Sequence, residues 1–124
     1  MAVLEVAAVR LDEKKSKFYA HLYHIDSIDD VAEIREIHDK LYKKAAHHCY
    51  AVVCGNVLES RADGEVGSPG RALAEVMERH NLASHVLMVS RIFGGTKLGP
   101  AGVARAFREA GNGAVTEYER GKAF

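Results

Sequence analysis

A chain of 124 residues with seventeen Lys and Arg against seventeen Asp and Glu fits one domain and can bury roughly two-thirds of the surface its unfolded form exposes. That balance excludes a polycation gripping nucleic acid through bulk charge, so any such binding must come from a local patch. Two cysteines, no apolar run of membrane length and no basic-then-apolar leader over Met1–Arg10 lead to the expectation of a cytosolic protein with no membrane partner, folding without metal or disulfide.

In chain order, Val3–Arg10 and Lys17–Ile25 read as two strands of a hairpin joined by the charged turn Asp12-Glu13-Lys14-Lys15. Ser27 followed by Asp30 resembles a capping box, and Val31, Ile34, Ile37 and Leu41 mark one face of a helix reaching about Lys43. His48–Cys54 is β-prone, Gly55-Asn56 allows a turn, and a short strand follows over Val57–Ser60. Cys49 and Cys54 should lie on opposite faces of their strand, about 16 Å apart, too far to bridge.

Ala62–Gly67 has no apolar period and reads as an exposed loop. Ser68 as N-cap, Pro69 at the first helical position and Leu73, Val76, Met77 and His80 on one face predict a second helix ending near Asn81. Ser84–Phe93 reads as a buried strand. A glycine loop then leads into a third helix over Pro100–Ala110, stopping at Gly111, with Val103, Ala106 and Phe107 inward; Asn112–Phe124 is left unassigned. The fold class expected is α+β: a two-layer α/β sandwich with one mixed sheet of four or five strands and helices packed on it, as a single domain over residues 1–124.

The stretch from Arg91 to Ala106 carries the most chemistry. Two glycines permit a tight turn, and the following helix start offers unpaired N–H groups to an anion, with Lys97 as a point charge. It is neither the Gly-x-x-x-x-Gly-Lys-Ser/Thr phosphate loop nor Gly-x-Gly-x-x-Gly. A turn that merely docks a helix on a sheet is the plainer reading.

The same residues resemble a known signature. Arg91-Ile92-Phe93-Gly94-Gly95-Thr96-Lys97-Leu98-Gly99, with Gly102-Val103-Ala104-Arg105-Ala106 on the helix, is similar to a block of the YigZ/IMPACT family. Lys15-Ser16-Lys17-Phe18-Tyr19-Ala20 resembles its opening Lys-Ser-Lys/Arg-Phe-Ile-Ala, and Ala46-His47-His48-Cys49-Tyr50-Ala51 its Ala-x-His-x-Cys-x-Ala core. The middle block departs: Ala62 to Ala72 keeps Asp63, Gly64, Glu65, Gly70 and Arg71 but is one residue shorter than the family's pattern. The resemblance implies a fold like the second domain of small-subunit ribosomal protein five, with a left-handed crossover, and a role in translation or its control. It also implies an IMPACT-type domain standing here without the C-terminal ferredoxin-like domain of bacterial relatives.

The ligand or nucleic-acid site is expected at Arg71, Arg91, Gly94, Gly95, Lys97, Gly99 and Arg105, one positive patch if strand end, loop and two helix starts meet. Asp63 and Glu65 form an alternative loop site, or a pair for those cations. His47, His48 and Cys49 are set aside as metal ligands because neighbouring strand residues diverge and no second ligand pair follows; Cys49 is read as a packing thiol rather than a nucleophile. Tyr50 and Phe93 are read as core aromatics rather than base-stacking platforms. No catalytic residue, metal or cofactor is nominated. The function expected is a binding module with an RNA, ribosomal component or translation-related protein as partner; an enzyme on a phosphorylated small molecule and a purely protein-protein adaptor are the alternatives.

Overall fold

The computed structural model describes residues 3–122; Met1 and Ala2 of the stretch read for a leader and Ala123 and Phe124 of the unassigned tail lie outside them. The elements are β1 (Leu4–Glu13), β2 (Ser16–His24), α1 (Asp30–Leu41), β3 (His47–Cys54), β4 (Val57–Arg61), α2 (Pro69–Arg79), β5 (His85–Ile92) and α3 (Gly99–Lys122). The fold is α+β. Its five strands lie in the order β1-β2-β5-β3-β4, and every neighbouring pair is antiparallel, where a mixed sheet was expected.

The reason lies in the crossovers. β2-α1-β3 and β4-α2-β5 each join two parallel strands but skip the strand between them, so parallel strands are never neighbours. α1 and α2 lie on opposite faces, and the units travel across the sheet in opposite senses on oppositely directed strands. Such a pair must have opposite hands, so one of them departs from the right-handed rule.

Side-chain alternation along β3 sorts the core. Cys49, Ala51 and Val53 face α2 and α3 together with Phe18, Leu22, Leu73, Met77, Leu87 and Phe107. Tyr50, Val52 and Cys54 face α1 with Tyr23, Ile34, Val86 and Met88. Both cysteines are free and on opposite faces, as the alternation predicts. The two-layer sandwich is thus the sheet with α2 and α3; α1 adds a smaller layer on the other side.

Local signals account for most element ends. Asp30 Oδ2 accepts the backbone N–H of Ser27 (3.1 Å), while Ser27 Oγ accepts that of Asp29 (3.2 Å), a shifted capping box before α1. Pro69 opens α2 as expected, but Ser68 stands at the cap with φ 55° and makes no side-chain cap bond. On α1, fully buried His38 takes the inward place next to Ile34, and Leu41 is exposed.

α3 corrects the predicted stop at Gly111. The helix runs on to Lys122, and Gly111 lies inside it, where a Cβ would come within 2.7 Å of Leu73 Cδ2 and 3.0 Å of Leu87 Cδ2. This glycine permits close helix packing rather than ending the helix. α2 and α3 run side by side in one direction: Arg108 reaches Glu75 at 3.6 Å, and His80 reaches Asn112 and Glu119 at 2.9 and 3.0 Å.

Between α1 and the sheet lies a polar chain whose proton positions follow from donor and acceptor counting. Asp39 can only accept, so His48 Nε2–H donates to it (2.9 Å). His48 Nδ1 then accepts from the Ser90 hydroxyl (2.7 Å), Ser90 Oγ accepts from His38 Nδ1–H (2.7 Å), and Tyr23 O–H donates to His38 Nε2 (3.0 Å). Every group is satisfied with both imidazoles neutral. Burial agrees with this, pulling His38 down to about 3 with further depression by His21 and His48, and lowering His48 as well.

Candidate functional site

The strand ends, the glycine loop and both helix starts do meet at one end of the sheet. Lys17 pairs with Ile92, and His47 with Arg91, across the ladders. Gly94 lies against the Lys15 backbone in the β1–β2 turn, and Gly67, just before α2, lies against Pro100 at the start of α3. Gly95 and Gly99 hold φ of 92° and 74°, the backbone freedom the tight loop requires.

The nominated cations do not all face outward here. Arg91 follows Leu87 and Val89 on the core side of β5 and is 9% exposed. Its guanidinium lies between the Phe18 and Phe93 rings, 5.5 and 5.4 Å from their centroids, and donates to Glu65 Oε2 (3.4 Å) and Ser16 Oγ (3.2 Å). Gly94 N–H donates to the same hydroxyl at 3.3 Å. Arg91, Glu65, Ser16 and Gly94 therefore form a tie that fixes the loop to the sheet. Arg71 is exposed on α2 with Glu75 at 4.0 Å. Arg105 lines a separate hollow of about 290 Å³ with Glu13, Lys14 and Glu109, two acids against two bases.

The loop expected to be exposed is tied down. Asp63 Oδ2 accepts from the His48 backbone N–H (2.8 Å) and from Arg35 of α1 (3.2 Å), and the Asp63 carbonyl accepts from His47 Nδ1–H. Glu65 Oε1 accepts from the Val66 N–H (3.0 Å). Cys49 is fully buried, donates its thiol to the Ala62 carbonyl (3.1 Å), and is pushed well above the usual thiol range by burial.

These contacts leave a cleft of about 240 Å³ lined by Lys44, Ala46, His47, Glu65, Arg91 and Phe93. Phe93, read from sequence as a core aromatic, is 56% exposed at its rim. Lys14, Lys15, Lys17, Lys44 and Lys97 are all exposed around the same end. Among the described residues the ion pairs use arginine and histidine, and these lysines enter none. Sequence reasoning singled out only Lys97 of the five; the register that stacks β1–β2 turn, β5 end and β3 start was the missing information.

Residues 14–115 match the family described as Impact N-terminal domain. An IMPACT family member of Bacillus subtilis, YvyE, is 33% identical over 98 residues, which is 76% of this chain and 45% of that protein. The chain spans about half the length of the curated relatives it matches. A solved structure described as that of an hypothetical protein superposes with a TM-score of 0.85 at 25% identity, covering 94% of this chain and 62% of the other. The two-domain translational regulator Yih1 shares the fold more distantly, with a TM-score of 0.55 at 19% identity over 92% of this chain and 46% of its own. With the match running from the β1–β2 turn through β2, the tied loop and most of α3, the chain belongs to the IMPACT family and carries its N-terminal domain.

Proposed function

We propose that this domain is a docking module of translational control that holds single-stranded RNA on the lysine-rich end of the sheet. The observation that carries the reading is the set of exposed lysines that enter no ion pair among the described residues, Lys14, Lys15, Lys17, Lys44 and Lys97, at one end of the sheet, with Lys44 on the wall of an open cleft, on a chain with no net charge. Such a surface exchanges counterions for phosphates and needs no catalytic group. The link to translation comes from family membership and from the regulator that shares the fold. The backbone and arginine donors that hold Asp63 and Glu65 favour docking over acid–base chemistry.

The test is anisotropy of a labelled oligouridine at 50 and 200 mM salt. Binding should weaken steeply with salt, and Lys44→Ala with Lys97→Ala should weaken it further and flatten the slope by about 1.4, two contacts at ~0.7 each. The melting temperature should hold, because both side chains are exposed and unpaired. Affinity indifferent to salt and to these substitutions overturns the reading.

A further inference from the structure

We infer that the cleft is a pocket for one guanine base, reading the nucleotide that the lysines bring to it; the inference rests on the RNA-docking reading above. Its volume, about 240 Å³, lies below the ~300 Å³ at which pockets for drug-sized ligands begin, so it suits one flat group better than a whole cofactor. At its rim Phe93, 56% exposed, presents an aromatic surface backed by the Arg91 guanidinium, the kind of platform on which a base stacks.

The polar groups decide which base. His47 donates Nδ1–H to the Asp63 carbonyl, and Gly64 packs against the same edge of the ring. In the neutral ring that bond places the proton on Nδ1 and leaves Nε2, which meets no protein group among the described residues, as an acceptor. Glu65 is the second acceptor: each of its oxygens takes one donor, Arg91 or Val66 N–H, and each keeps a further lone pair. The ligand edge must therefore supply donors. Guanine alone among the four bases sets an N1–H beside a 2-amino group, a pair that a carboxylate accepts at two points. Adenine and cytosine bring a single amino group and uracil a single imino N–H. Lys44, on the cleft wall, supplies a positive partner for the attached phosphate.

The test titrates the intact domain with 5′-GMP, IMP, AMP, CMP and UMP at low salt, followed by NMR shifts of the cleft amides. GMP should bind about tenfold more tightly than the pyrimidine nucleotides, and more tightly than IMP, which lacks the 2-amino group. Phe93→Ala should cost about tenfold in GMP affinity through lost stacking, with the melting temperature lowered only slightly, since the exposed ring gives up little beyond its contact with the Arg91 guanidinium. His47→Gln should weaken GMP while leaving oligouridine binding in place. Equal affinity for all five nucleotides, no binding of any, or a GMP affinity undiminished by Phe93→Ala overturns the guanine pocket. Salt-dependent oligouridine binding measured alongside separates that failure from failure of the docking reading.

Discussion

Gly94 sits so close to the β1–β2 turn that a methyl group there would run into the Lys15 carbonyl, whereas one at Gly95 meets open space and pays only for a φ of 92°. Gly94→Ala should accordingly cost about 1–3 kcal/mol by overpacking against backbone, and Gly95→Ala about 1 kcal/mol; urea denaturation of both ranks them. Cys49→Ala should lower stability by about 1 kcal/mol and leave oligouridine affinity unchanged, since the thiol is buried, donates to the Ala62 carbonyl and is not part of the cleft lining. An affinity loss in that folded variant would return the cysteine to the site. The placement of Arg91 was not legible, because a continuously apolar strand has no period to sort its faces; the structure puts it two residues beyond Val89, on the side that packs against α2 and α3. Nor was its pairing with Glu65 and Ser16 legible, because a contact spanning 26 or 75 residues has no trace in local spacing.

At the scale of the elements, the first hairpin closes with Lys14 and Lys15 at φ 45° and 71°, the positive pair that a type I′ turn demands and that Asn-Gly adopts with less strain. Lys14→Asn with Lys15→Gly should therefore raise stability by about 1 kcal/mol in urea denaturation. The same change should weaken oligouridine binding by removing two cations, so stability and affinity move in opposite directions. Strand and helix order was readable from hydrophobic period and turn residues, and most boundaries lie within a few residues of expectation. α3 escaped because Gly111 and Gly113 imitate a helix stop; only the Leu73 and Leu87 side chains pressing on Gly111 explain why glycine stands inside a helix. The antiparallel sheet escaped for a related reason, since alternation of strands and helices does not disclose that each crossover skips a strand.

For the whole molecule, the buried imidazoles link folding to pH. His38, His48 and His85 all titrate below the ordinary histidine value because burial disfavours their charged forms. Around His48, Asp39 and Asp63 oppose the shift and Arg35 adds to it. The unfolded chain thus binds more protons below about pH 6.5, and stability present in full above that value is lost as pH falls. Between pH 6.5 and 5 unfolding free energy should drop by about 1.4 kcal/mol per unit for each such histidine that stays neutral, and His38→Gln should flatten the slope; a profile level from pH 7.5 to 5 would refute the neutral chain. The strand order bears on how the protein is made. β5 is the last strand synthesised, yet it fills the centre of the sheet between β2 and β3. Until residues 85–92 leave the ribosome, the earlier strands exist as two separate hairpins, β1–β2 and β3–β4, each with an open inner edge able to pair with a neighbouring nascent chain. A polypeptide stalled before His85 would be two halves awaiting a keystone.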